Sequence, residues 1–226
     1  MTSVKFFVCY IIAIYLLSLA SLSSASTLYD IIERDQLLCG VRGGSAGFAR
    51  IDDKGQWTGL DADYCKALAA AVLKDQDKVD YLVLSASVRF TALQNREIDV
   101  LIRNTTWTYT RDVSLGIDFT GINFYDGQGF IAWKDGNKTS LRDFDAGTSV
   151  CIEKNTTSLL NMKNYISQHN LDIEILEFIS TAATEDSFFA RRCDLHTTDL
   201  SILSSLIGEN AINSKSYIVL TDNISK

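Results

Sequence analysis

The chain has 226 residues, 28 acidic against 21 basic side chains, a formal charge of −7 at neutral pH, and no proline. So acidic a chain, with no run of basic residues, excludes a role that depends on gripping the phosphates of nucleic acid. The length suits one large domain or two small ones, and without proline every tight turn must be made by Gly, Asn or Asp.

Residues 6–22 (FFVCYIIAIYLLSLASL) form an uncharged apolar run behind Lys5, followed by the small residues SSAS. We read 1–25 as a secretory signal cut after Ala25, the alternative being a retained anchor. The segment QLLCGV (36–41) predicts a buried strand, and 43–48 a glycine-rich turn. In 61–73, Cys65, Leu68, Ala69, Val72 and Leu73 recur at helical spacing, with Asp61 as the N-cap. Strands over 79–84 and 98–102 enclose a helix over 88–97. Strand–helix–strand–helix–strand predicts a parallel sheet. The alternation restarts with strands over 148–153, 173–178, 193–197 and 216–220. Helices are predicted over 156–168, over 181–192 (opened by Ser180 or Thr181) and over 200–207. Residues near 121–133, rich in glycine and aromatics, read as a connector between two similar α/β units.

Cys9 falls within the signal, which leaves Cys39, Cys65, Cys151 and Cys193. An even count in an exported chain predicts two disulfides, and three pairings are possible. Each half holds two cysteines, so Cys39–Cys65 and Cys151–Cys193 are the simplest, with four buried thiols as the alternative. Loop closure would contribute roughly 3.5 to 4 kcal/mol for each. None of the four lies at the close spacing of a zinc or redox site, and no metal or cofactor is expected.

In parallel α/β sheets, ligands bind beyond the carboxyl ends of the strands. RNTTWTYTRD (103–112) follows the strand 98–102, offering hydroxyls, backbone N–H groups and Arg111, whose guanidinium can grip a carboxylate through two parallel bonds. EKNTTS (153–158) follows the strand 148–153 and opens a helix, an anion site in the second half. CDLHTTD (193–199) ends in Asp199, suited to an ammonium group. Arg111 and Asp199 together would recognise a zwitterion such as an α-amino acid. The alternatives are an ion pair of Arg111 with Asp112 or Asp118, and Asp199 as the N-cap of the helix from 200. Arg103 reads as structural or rim-facing, and His169, at a helix end, as solvated; His196 lies on a strand close to Asp199, where a base role is a minor alternative.

The blocks DDKGQWTGLDADYCKALAAAV, ALQNREIDVLIRNTTWTYTRD, DFTGINFYDGQGF and RRCDLHTTD resemble, in order, those of the periplasmic solute-binding proteins of polar and general L-amino-acid ABC importers. The resemblance covers about 28–226. It implies a two-lobed α/β fold of the periplasmic-binding-protein type, each lobe a mainly parallel sheet flanked by helices. Residues 26–129 would form lobe one and 130–226 lobe two. It further implies a periplasmic, monomeric, non-catalytic receptor delivering L-amino acids to the permease subunits of an importer. By the same resemblance Arg111 and Thr106 would hold the ligand carboxylate, capped by Thr156 and Thr157. Asp199 and the backbone carbonyl of Asn104 would hold the ammonium, and Phe48 and Trp57 would lie in the segment that supplies an aromatic wall. Against that pattern the chain lacks the prolines expected near the site and stops at TDNISK, short of a return to the first lobe. A truncated, non-binding relative and a dehydratase-like enzyme on the same scaffold are the alternatives.

Overall fold

The computed structural model describes residues 26–134, 136–209 and 216–225. The expected signal over 1–25 lies outside the described residues. Among those described, no helix is long and apolar enough to cross a membrane.

The chain opens with helix α1 (Thr27–Arg34), capped by the Ser26 hydroxyl, and enters strand β1 (Leu37–Val41). A two-residue hairpin, β2 (Arg50–Ile51) and β3 (Trp57–Thr58), leads into helix α2 (Leu60–Leu73). Strand β4 (Val79–Val83), helix α3 (Arg89–Gln94) and strand β5 (Val100–Leu101) complete a three-stranded sheet of order β4-β1-β5, parallel throughout. Its faces are covered separately. Cys39, Val41 and Cys65 pack with Leu68 on the α2 side, and Leu84, Ala92 and Ile98 cluster on the α3 side. A short helix, α4 (Tyr109–Ser114), follows β5.

The second sheet has the order β10-β6-β9-β7-β8. Its strands are β6 (Gln128–Trp133), β7 (Thr148–Glu153), β8 (Ile173–Phe178), β9 (Leu195–Asp199) and β10 (Tyr217–Val219). Strand β7 runs parallel to β8 and β9, whereas β6 runs antiparallel to β9 and β10. Helices α5 (Thr157–His169), α6 (Thr181–Phe189) and α7 (Leu200–Glu209) flank it. Phe130, Val150, Ile152, Met162 and Leu195 form one core cluster; Ile131, Cys151, Phe188 and Leu203 form the other.

Two expectations change. The connector is shorter than the sequence suggested: residues 128–133 are an interior strand, buried at nearly every position, so the lobe boundary expected at 129/130 falls inside β6. A strand covered on both faces shows no alternation and reads as an undifferentiated apolar run. Asp61 is not an N-cap. Gly59 takes that position at φ +108°, and a Cβ there would meet the Phe48 carbonyl oxygen at 2.5 Å. The carbonyls of Gly47 and Phe48 accept from the N–H groups of Leu60 and Asp61 at 2.9 Å each. Glycine permits that close backbone approach. Asp61 instead lies buried in the first helical turn.

The structure joins Cys39 to Cys65 and Cys151 to Cys193, with Cα separations of 6.2 and 5.8 Å. The first fastens β1 to α2, and the second fastens β7 to the turn that enters β9.

Candidate functional site

The carboxyl ends of β1, β4 and β5 face those of β7 and β9 across a cleft enclosing about 490 Å³ of atom-free space, part of it open to solvent. From the first lobe come Arg42, Arg89, Arg103, Asn104, Thr106 and Arg111; from the second come Glu153, Thr156, Thr157, Thr181, His196 and Asp199. Hydrogen bonds cross the gap. Asn104 Nδ2 donates to Asp199 Oδ2 at 2.8 Å, and the hydroxyls of Thr106 and Thr157 meet at 2.9 Å. Arg42 Nη2 bonds Glu185 Oε1 at 2.8 Å, and Asn155 Nδ2 donates to the Ser87 hydroxyl at 3.1 Å. The lobes stand closed on one another.

Each side chain is held by its local fold. Thr108 caps α4 by accepting from the Arg111 N–H, and Arg111 Nη1 then turns back to the Thr106 carbonyl at 2.8 Å. Its guanidinium lies 5.2 Å from the ring centroid of Phe90. Partial burial lowers its pKa, while Asp199 across the cleft acts to raise it. No ion pair of Arg111 with Asp112 or Asp118 forms among the described residues. Thr156 caps α5: its hydroxyl accepts from the Leu159 N–H at 3.2 Å and donates to the Glu153 carbonyl at 2.7 Å. With that hydroxyl engaged, Thr157 is the member of the pair whose hydroxyl reaches across to the first lobe.

Asp199 ends β9, at the strand terminus where the sequence places a ligand group. It does not cap α7; Asp126 does, accepting from the Ser201 N–H at 3.3 Å and from the Ser201 hydroxyl. The Leu200 N–H donates to the Gly127 carbonyl at 2.8 Å, so the end of the connector is fastened to the end of β9. Asp199 is thereby free to face the cleft, where burial pushes its carboxyl up from the usual range and the Asn104 bond opposes that shift. The Asn104 side chain also accepts from Arg103 at 3.0 and 3.3 Å, so its observed contacts go beyond the backbone role the resemblance implied.

The aromatic pair separates. Phe48 borders a larger adjoining cavity, with Asp61, Asn123 and Phe124, and sets its ring edge-on to Phe124 at 5.2 Å. Trp57 lies elsewhere: it stacks on Tyr81 at 4.8 Å and packs against the Cys39 and Val41 cluster. Its place at the end of a hairpin turns it toward the lobe core, away from the ligand wall expected of it.

Two arginines, Arg42 and Arg89, were missed, and Arg103 takes the structural of its two readings. Arg103 is 6% exposed and donates to the Leu84 carbonyl at 2.8 Å, a buried floor to the cleft and no rim group. Arg42 and Arg89 follow the carboxyl ends of β1 and β4. The strand-end rule that found 103–112 would have found both, had it been applied to every strand of the first sheet. Burial lowers the guanidinium pKa of Arg103 to about 10 and that of Arg89 to about 9. Glu153 accepts from the Ala86 N–H at 3.2 Å and from the Thr181 hydroxyl at 2.8 Å. His196 is the histidine in this cleft. Its Nδ1 meets the Cys151 carbonyl at 3.1 Å, and burial pulls its pKa down to about 4. Among the described residues no cluster of His, Cys, Asp and Glu is large enough to hold a metal ion.

With this geometry in place, the comparisons with known proteins are specific. The description "bacterial extracellular solute-binding proteins, family 3" matches residues 37–183. The general L-amino acid-binding periplasmic protein of Rhizobium johnstonii is 43% identical over 207 residues, 92% of this chain and 60% of that protein. The glutamate/glutamine/aspartate/asparagine-binding protein of Rhodobacter capsulatus is 41% identical over 207 residues, 92% of this chain and 61% of that one. An ABC transporter periplasmic binding protein from Brucella ovis, solved with glutathione bound, superposes with a TM-score of 0.84 at 43% identity. That match covers 89% of this chain and 63% of the solved one. The two-lobed α/β fold is shared with these proteins, and the chain spans about three fifths of the length of the curated relatives it matches.

Proposed function

This chain belongs to the bacterial extracellular solute-binding proteins, family 3, and from that premise we propose that it is a receptor for free L-amino acids, held as zwitterions between its two lobes. The observation that carries the proposal is the convergence of Arg111 and Asp199, from opposite lobes, on one largely buried cleft. A guanidinium beside the start of α5 supplies donors for an α-carboxylate. A carboxylate at the opposite strand end accepts from an α-ammonium. Thr106, Thr156 and Thr157 complete the carboxylate side, Asn104 supports Asp199, and Phe48 borders the adjoining space. In this proposal lobe one runs from 26 to the connector and lobe two starts at Gln128. The closed form works as a monomer in the periplasm and hands its ligand to the permease of an ABC importer, as the names of the relatives suggest.

The proposal assigns no chemistry to the cleft. His196, its one imidazole, is held by a backbone carbonyl and is neutral at pH 7, so it packs the floor and does not shuttle protons.

Isothermal titration calorimetry of the chain against the common L-amino acids tests this. The expected result is saturable binding, weakened at least tenfold in Arg111→Met, with the amino acid recovered unchanged. Absence of binding by every amino acid, or equal binding by Arg111→Met, would overturn the proposal.

A further inference from the structure

Gln128 opens β6, a strand otherwise apolar in sequence (QGFIAW), and is 2% exposed, among the largest fully buried side chains. Its amide makes three bonds in that dry place. Nε2 donates to the Ser158 carbonyl and to the Thr197 hydroxyl, at 3.0 Å each, and Oε1 accepts from Asn161 Nδ2 at 3.1 Å. A carbonyl only accepts, so the Ser158 contact fixes which end of the amide faces the helix. The Thr197 hydroxyl gives its own proton to the Gly129 carbonyl at 2.7 Å and so receives the second amide N–H.

The partners belong to the two elements that grip the ligand in the reading above. Ser158 and Asn161 lie in the first turns of α5, whose start carries Thr156 and Thr157. Thr197 stands two residues before Asp199 on β9, hence on the same face. Gln128 is itself the cross-strand partner of Asp199, which sets their side chains side by side on that face. The apolar packing of α5 on the sheet, through Leu159, Met162 and Ile166, is non-directional and would tolerate a slide along the strands. The Gln128 amide would not, because hydrogen bonds weaken steeply with angle.

We propose that Gln128 is a positioning residue: it fixes the spacing between the start of α5 and Asp199, and with it the separation of carboxylate and ammonium that the cleft accepts. The inference rests on the zwitterion-receptor reading. Gln128 borders the adjoining cavity and acts through groups that line the cleft, Thr157 and Ser158 on one side and Thr197 and Asp199 on the other. An α-amino acid carries both charged groups on one carbon, so a site held to that spacing rejects a ligand whose ammonium lies one methylene further away.

Calorimetry of the common L-amino acids, each beside its β-amino-acid homologue, reads that spacing. The unaltered chain should bind each accepted α-amino acid roughly tenfold or more tighter than its homologue, the loss expected when one charge-assisted bond is misaligned. In Gln128→Met, close in volume, the α-to-β ratio should fall by at least about threefold. The fold should survive. The Ser158 carbonyl keeps its place in the helical ladder, Thr197 keeps Gly129, and Asn161, half-buried at the cavity, reaches water. A purely structural role would lower Tm and leave the ratio unmoved, since both ligands are measured on the same folded molecules. Thr197→Val, which cuts the link from the β9 side, should lower the ratio in the same direction, and it decides if Gln128→Met shows no cooperative melt. A ratio near one in the unaltered chain, or one unmoved in the deciding variant, overturns the inference and leaves the receptor standing. No binding by any amino acid overturns the receptor and the inference with it.

Discussion

Replacing Asp199 with asparagine separates binding from folding. The side chain is half-buried and accepts one bond, from Asn104 at 2.8 Å, which an amide oxygen can also accept. Only the charge is lost. A hydrogen bond to a charged group is worth about 1.5 to 3 kcal/mol, so an ammonium facing a neutral amide should bind roughly 30- to 150-fold more weakly when about 2 to 3 kcal/mol is lost. Stability of the empty chain should move the other way. Burial raises the folded-state pKa of Asp199, so its ionisation opposes folding above the unfolded pKa, and the amide removes that penalty at pH 7. Thermal melts with and without ligand read both effects. At a ligand concentration of 100 times its Kd, the unaltered chain gains about 2.7 kcal/mol, or about 5 to 10 °C for a chain this size. At that same concentration, a variant weakened about 100-fold gains about 0.4 kcal/mol, close to 1 °C. A variant that keeps the full ligand shift, or whose empty form melts well below the original, would refute the assignment and mark Asp199 as structural.

Burial holds the Asp61 carboxyl at about 6, above its ordinary 3.8. Its contribution to stability is therefore lost as pH rises from about 4 through 6, and Asp61→Asn should gain about 2 kcal/mol at pH 7, read by urea unfolding at pH 4.5 and 7. His196, held at about 4 against 6.5, acts in the opposite sense. Its contribution is complete above pH 6.5 and is lost as pH falls toward 4, so His196→Gln should flatten the acid limb of a plot of Tm against pH. Gly59→Ala should cost at least about 2 kcal/mol in urea unfolding, because the new methyl meets the Phe48 backbone at 2.5 Å in a left-handed conformation. Trp57→Phe, remote from the cleft, should change ligand affinity by less than about twofold in calorimetry, near the limit of a change that leaves every cleft contact intact.

The alternation of strand and helix, both disulfides and the strand ends bearing Arg111 and Asp199 were legible because each follows from local pattern. Period-two and period-3.6 spacing, cysteine placement by half, and hydroxyl-rich segments behind apolar runs survive without tertiary information. What failed depended on distant chain. The cap of α2 is made by carbonyls eleven or more residues upstream, so Asp61, well placed by spacing, became a buried acid. Strand β6 carries no alternation because both its faces are covered. Helix α1, which begins just after the expected signal, passed unread although Ser26 caps it, and α4 is only six residues long. Trp57 follows the glycine turn by nine residues in sequence, but the hairpin points it at Tyr81. Arg42 and Arg89 lay within reach of the strand-end rule; their burial, which makes them matter, did not.

The bonds that tie Asp126 and Gly127 to Leu200 and Ser201 have a mechanical corollary. They place Asp199 almost at the pivot of any swing about the connector, paired in register with Gln128. A point near a pivot sweeps a short arc, and one on the far lip sweeps a long one. Parting of the lobes should therefore unzip from the Arg42–Glu185 side inward, with Asp199 the last to leave Asn104 and the first to find it again.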